Sequence, residues 1–134
     1  MSNLVKQITE FTQKLVATPS QNFIDSESGV ANLVFEKLKN FGFKPEIVGP
    51  KEHPSVICYI KKKNSSKTIW LESCLDTVPA GDAAKWEYPP FEAKIVSNRM
   101  YGRGVADSKV AIALFCYLAK ELSEDKNFNA SIFL

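Results

Sequence analysis

Three side chains in this sequence have the type and setting to do chemistry: Cys74, Asp76 and Asp107. Cys74 and Asp76 lie two apart in Leu71-Glu72-Ser73-Cys74-Leu75-Asp76-Thr77-Val78-Pro79. Side chains alternate along a strand, so the two face the same way at the carboxyl end of an apolar strand over 67–73. A thiolate there can bind zinc, whereas a neutral thiol is a small hydrophobe that favours burial. Asp76 is either a site carboxylate or a turn residue ahead of Thr77-Val78-Pro79. Asp107 follows Gly102-Arg103-Gly104 where a helix should begin. Glycines allow a tight loop, and a helix start favours a carboxylate or an anionic ligand. A plain strand-to-helix loop with Asp107 as N-cap is the competing reading. A nucleophilic Cys74 would need a base. His53, the single histidine, precedes Pro54 in a loop and reads as a surface residue.

The elements that must position these groups follow from periodicity. Leu4, Val5, Ile8, Phe11, Leu15 and Val16 recur at helical spacing over 3–17, and Pro19 ends that helix. A second helix starts near Asp25 or Ser26, either of which can cap it. Its apolar stripe is Val30, Leu33, Val34, Leu38 and Phe41, and Gly42 suits the residue past its end. Short strands are expected at 44–48, at 55–60 and at 67–73, the last two joined by a basic hairpin turn around Asn64-Ser65-Ser66. Residues 79–91 are loop. A small hairpin turns at Ser97-Asn98-Arg99. A third helix over 109–122 is capped by Asp107 or Ser108 and turns Val110, Ala113, Leu114, Tyr117, Leu118 and Leu122 inward. Asn129–Leu134 reads as a buried central strand. Open α/β sheets build sites where loops converge at strand carboxyl ends, so the fold class expected is α/β.

Composition fits this. The chain has 134 residues, 45% hydrophobic and 24% charged, enough for one domain or part of one. A net charge of +2 implies no polyanionic partner, and nucleic acid is not expected. Three unpaired cysteines, Cys58, Cys74 and Cys116, fit a reducing compartment, so a cytoplasmic location is expected. No run approaches the ~20 apolar residues of a membrane span.

Taken in order, the motifs are more specific than any one alone. An apolar strand leads into Cys74-Leu75-Asp76-Thr77-Val78-Pro79. Gly81-Asp82, Trp86 and Pro89-Pro90-Phe91 follow, then Tyr101-Gly102-Arg103-Gly104, Asp107 and Lys109. With Thr18-Pro19-Ser20 near the start, the series resembles the two-zinc peptidase and aminoacylase family. That family includes acetylornithine deacetylase, succinyl-diaminopimelate desuccinylase and carboxypeptidase G. The resemblance runs from about residue 5 to the end, and corresponds to roughly the first third of a full-length member. It implies a layered α/β/α sandwich with a mixed sheet, here truncated to the N-terminal part of a catalytic domain over 1–134. It implies two zinc ions, with Asp107 bridging them and a histidine ligand at the position of Cys74. Asp76 would sit behind that ligand as a catalytic orienting carboxylate. The substrate implied is an N-acyl amino acid or a small peptide, the reaction amide hydrolysis, and a homo-oligomer is possible in the family.

Cys74 departs from this pattern. A thiolate binds zinc at about 2.3 Å rather than about 2.0–2.1 Å, and beside Asp76 it is a like charge. Losing such a partnership typically costs about 10–100-fold in affinity or activity. Ser73 and Val110-Ala111 replace residues that are usually glycine. The family's glutamate pair and remaining ligands would follow Leu134, so this chain alone is expected to be inactive. A family relative that binds or regulates without catalysis is the alternative. The chain is also expected to expose a strand edge along 129–134 or its neighbour, which invites self-pairing.

Overall fold

The computed structural model describes residues 2–134. Three helices pack together with short strands in a mixed α/β fold. Helix α1, Asn3–Val16, is capped by Ser2, whose Oγ accepts from Val5 N at 3.3 Å. Its face of Phe11, Thr12, Leu15 and Val16 is buried. Helix α2, Ser28–Asn40, buries Val30, Ala31, Val34 and Leu38. Neither expected cap serves α2 in the usual way. Asp25 instead accepts from Gln21 N at 2.9 Å, and Glu27 occupies the cap without a side-chain bond. Ser26 Oγ accepts from Ser28 N at 3.1 Å.

Strands β1 (Glu46–Val48) and β2 (Ser55–Ile57) pair antiparallel. Strand β3 is Tyr59–Ile60, β4 is Thr68–Trp70, and β7 is Ser131–Phe133. The sheet order is β3-β7-β4, with β7 antiparallel to β3 and parallel to β4. The central place expected for Ile132-Phe133-Leu134 is therefore observed. The direct hairpin expected between 55–60 and 67–73 is not. The 61–67 turn spans β7 instead: Lys62 N donates to Ser131 Oγ at 3.1 Å, and Ser131 N donates to Lys67 O at 2.8 Å. Pairing with a strand 69 residues away outcompetes the local turn. The outer strands are β3 and β4, where Tyr59 is 52%, Ile69 40% and Trp70 69% exposed.

Strands β5 (Lys94–Val96) and β6 (Arg99–Tyr101) form the expected hairpin. Ser97 and Asn98 both have φ in the left-handed region, at 47° and 65°, as a two-residue turn matched to strand twist requires. Helix α3, Val110–Glu124, packs against α1 and α2. Its inner face is rotated from the one expected. Ile112, Ala113, Cys116, Tyr117 and Ala119 are buried, whereas Leu114 and Leu118 are 45% and 42% exposed.

One core joins these layers: Phe11, Leu15, Val30, Val34, Leu38, Cys58, Ile112, Ala113, Cys116 and Tyr117. Tyr59, Phe133 and Trp70 lie in a row on the sheet, with ring centroids 6.3 and 4.3 Å apart. No helix of the described residues is long and apolar enough to cross a membrane.

Candidate functional site

The site lies where two segments meet at the carboxyl end of β4. The first, Leu71–Val78, is extended but leaves the sheet after Leu71, whose N–H donates to Phe133 O at 2.9 Å. Regular pairing thus stops at Trp70, three residues before the end expected from the sequence. Cys74 is exposed, so the reading of it as a buried hydrophobe fails. Cys58 and Cys116 are the buried cysteines, and burial pushes the Cys116 thiol up to about 12. Asp76 is half-buried. Its segment is anchored from the residue before and the residue after. Ser20 Oγ donates to Leu75 O at 2.8 Å, Thr77 N donates to Ser20 O at 2.8 Å, and Asn22 N donates to Thr77 O at 2.8 Å.

The second segment runs from Gly102 to Lys109. Gly104 has φ +80°, and a Cβ on it would lie 2.6 Å from Thr77 Cγ2, so the loop rides directly on the Asp76 segment. Asp107 and Ser108 have φ of −126° and −140°, outside helical values, and are joined by a cis peptide. Helix α3 starts only after Lys109, and no side chain caps it. The cap reading of Asp107 therefore fails: the residue is exposed, and no side chain bonds to the helix's first N–H groups.

Ser108 ties the two segments together. Ser73 Oγ donates to Ser108 Oγ at 2.8 Å, and Ser108 Oγ donates to Cys74 O at 3.3 Å. Ser73, which the motif comparison marks as a departure, is thus a working link between the segments of Cys74 and Asp107. Cys74 and Asp76 line a cleft of about 960 Å³ floored by Ile112, Phe115 and Cys116. Asp107 is not among its lining residues. His53 borders the same cleft. It is exposed as expected, and its Nδ1 lies 2.6 Å from Oε2 of the buried Glu27.

Sequence reasoning gave Lys109 no role, and it is the most completely enclosed large side chain of the molecule, at 0% exposure. Its Nζ donates to Leu15 O at 2.8 Å and to Thr18 O at 2.7 Å, carbonyls at and just past the end of α1. Burial lowers its pKa to about 8, while the Asp25 carboxylate works the other way. The signal available was a lysine at the head of an apolar helix, two residues past an aspartate.

A thiolate and carboxylates are suitable donors for zinc, but a four-coordinate ion needs more of them. Among the described residues, no group of three or more His, Cys, Asp or Glu side chains converges on one point. The donors present do not complete a metal site.

An α/β domain in which two loops meet beside an exposed thiol and a half-buried carboxylate can be compared with known proteins. The match is to Peptidase family M20/M25/M40, whose model covers residues 70–134. Among solved structures, an M20 family metallo-carboxypeptidase from Sulfolobus solfataricus is 27% identical with a TM-score of 0.80. The match covers 100% of this chain and 30% of that one. Human carnosine dipeptidase 1 is 19% identical with a TM-score of 0.72, covering 97% of this chain and 32% of that one. The di-peptidase Dug1p from Saccharomyces cerevisiae is 20% identical with a TM-score of 0.62, covering 97% and 30%. The last two share the fold. The chain thus spans about 30% of the length of these structures. The resemblance read from the motif order is the one found.

Proposed function

We propose that this chain is the N-terminal part of a catalytic domain in a zinc-dependent hydrolase. Its substrates are N-acyl amino acids or small peptides, cleaved at an amide bond. The observation that carries the reading is the Ser73–Ser108–Cys74 linkage, which holds the Cys74 and Asp107 segments side by side at the carboxyl end of β4. In this reading Cys74 and Asp107 supply two of the metal ligands and Asp76 orients the first. The remaining donors and the proton-relaying group come from outside these residues, so the chain alone is inactive. Zinc supplies a bound water ionised near neutrality and polarises the carbonyl.

A second reading has support in one residue. Cys74 stands where Asp76 would orient an imidazole, which favours a relative that keeps the fold and has lost the metal. One experiment separates the two. The protein purified at its native length is measured for metal content and for hydrolysis of N-acetyl amino acids and dipeptides. Bound zinc, with hydrolysis abolished by a chelator, is the expected result. In that protein, Cys74→His should tighten zinc about tenfold or more. A metal-free, inactive protein sinks the hydrolase reading and leaves the binding module.

A further inference from the structure

Among the described residues, strand β4 pairs with β7 alone. The hydrogen bonds show which of its residues face that partner. Lys67 O accepts from Ser131 N at 2.8 Å, and Leu71 N donates to Phe133 O at 2.9 Å. In a parallel ladder alternate residues turn both backbone groups to the same side, so Lys67, Ile69 and Leu71 face β7. Thr68 and Trp70 turn their N–H and C=O groups to the other edge. All of β4 is exposed, Trp70 most of all. The other outer strand, β3, is shorter, and its Ile60 packs against the core. An exposed edge carrying large apolar side chains is a template for another strand.

Charge selects the strand that fits. The amino end of β4 is basic: Lys61, Lys63 and Lys67 are exposed, and none forms an ion pair among the described residues. The carboxyl end is acidic: Glu72 and Asp107 are exposed and equally unpaired. The Ser73–Ser108 bond keeps the Asp107 segment at that end. At about 3.4 Å per residue, Lys67 and Glu72 lie about 17 Å apart along the strand. A second β4 running antiparallel presents the opposite polarity to each end. A parallel copy would set like charges together.

We propose that two copies of this chain pair antiparallel through β4 and join their three-stranded sheets into one. Outward residues must meet outward residues, so within β4 the two-fold axis falls at Ile69. Thr68 exchanges N–H and C=O bonds with the partner's Trp70, and Ile69 lies against the partner's Ile69. That central pair is of the non-hydrogen-bonded kind, with Cα atoms about 4.5 Å apart. Lys67 then stands beside the partner's Leu71 and one residue from the partner's Glu72, within the Debye length of about 10 Å at 0.1 M salt. The row of Tyr59, Phe133 and Trp70 continues across the junction to the partner's Thr68. An interface this small makes a weak, reversible dimer. It does not depend on the hydrolase reading.

Sedimentation velocity of the full chain tests it. A monomer–dimer equilibrium is expected over about 10 μM to 1 mM protein, weakened about threefold to tenfold between about 20 and 500 mM salt. Lys67→Glu and Glu72→Lys should each weaken the dimer about fivefold, and the two together should restore most of it. Ile69→Lys opposes two ammonium groups on the axis and should leave only monomer. If that variant does not fold, the charge exchanges decide alone. Ile69→Cys, made together with Cys74→Ser, should give a disulfide-linked dimer on mild oxidation, because the central Cα spacing lies in the disulfide range of about 4.4–6.8 Å. A chain that stays monomeric at about 1 mM overturns the proposal. So do open-ended aggregates, or a dimer that the charge reversals leave unchanged.

Discussion

Lys109 and Asp107 stand two residues apart on one loop and meet opposite surroundings. Lys109 is wholly enclosed and donates to two carbonyls at the end of α1. Asp107 is exposed and does not cap the helix that follows. The inner side of the 102–109 segment thus belongs to the core, and the outer side belongs to the site. The contrast teaches where this chain invests its stability. Packing and buried hydrogen bonds fix the wall of the site, while the groups with chemical potential stand on it with little to hold them.

The contrast can be broken most directly at Lys109. Lys109→Ala should destabilise the chain by about 3–5 kcal/mol, through a cavity and the loss of two hydrogen bonds to backbone carbonyls. Chemical denaturation checks this. A pH series adds a sign. The unfolded lysine keeps its proton up to its ordinary value of 10.5, whereas the folded one loses it from about 8. Between these values the unfolded state binds more protons, so stability rises with pH there. Wild type should therefore gain on Lys109→Ala between pH 8 and 10.5. A gap that is flat or narrows over that window would show that the buried amine titrates normally.

Gly104→Ala comes next. A Cβ at φ +80° and 2.6 Å from Thr77 Cγ2 strains both the backbone and the contact. The expected loss is about 1–3 kcal/mol in denaturant midpoint terms. A neutral result would mean that the loop does not bear on the Asp76 segment as described. The smallest effect is expected at the outer side. Asp107→Asn should change stability by no more than about 0.5 kcal/mol, measured the same way. A loss above about 1 kcal/mol would erase the distinction between the two sides.

Much of the fold was readable from residue order, and the misses share a physical cause. Helices α1 and α2 followed from their apolar spacing, and β7 from Ile132-Phe133-Leu134. Local signals failed where long-range contacts decide. The basic turn after Ile60 looked like a hairpin because nothing nearby shows that β7 will enter between β3 and β4. The face of α3 was misassigned because leucines were weighed above Cys116 and Ala119, whose smallness suits a close helix contact. At the site, Cys74, Asp76 and Asp107 could be singled out from their types and motif. Lys109 could not, because its partners are backbone carbonyls at the end of α1, 94 and 91 residues earlier.

The late arrival of β7 also has a consequence for synthesis. Both of its neighbours leave the ribosome long before it does: Lys62 waits for Ser131 across 69 residues. At about 5–20 residues per second, that delay is on the order of several seconds. During it β3 and β4 are two unjoined rails, with Ile69 and Trp70 uncovered on a nascent chain. Until β7 emerges, the sheet has no central strand to join its two outer ones.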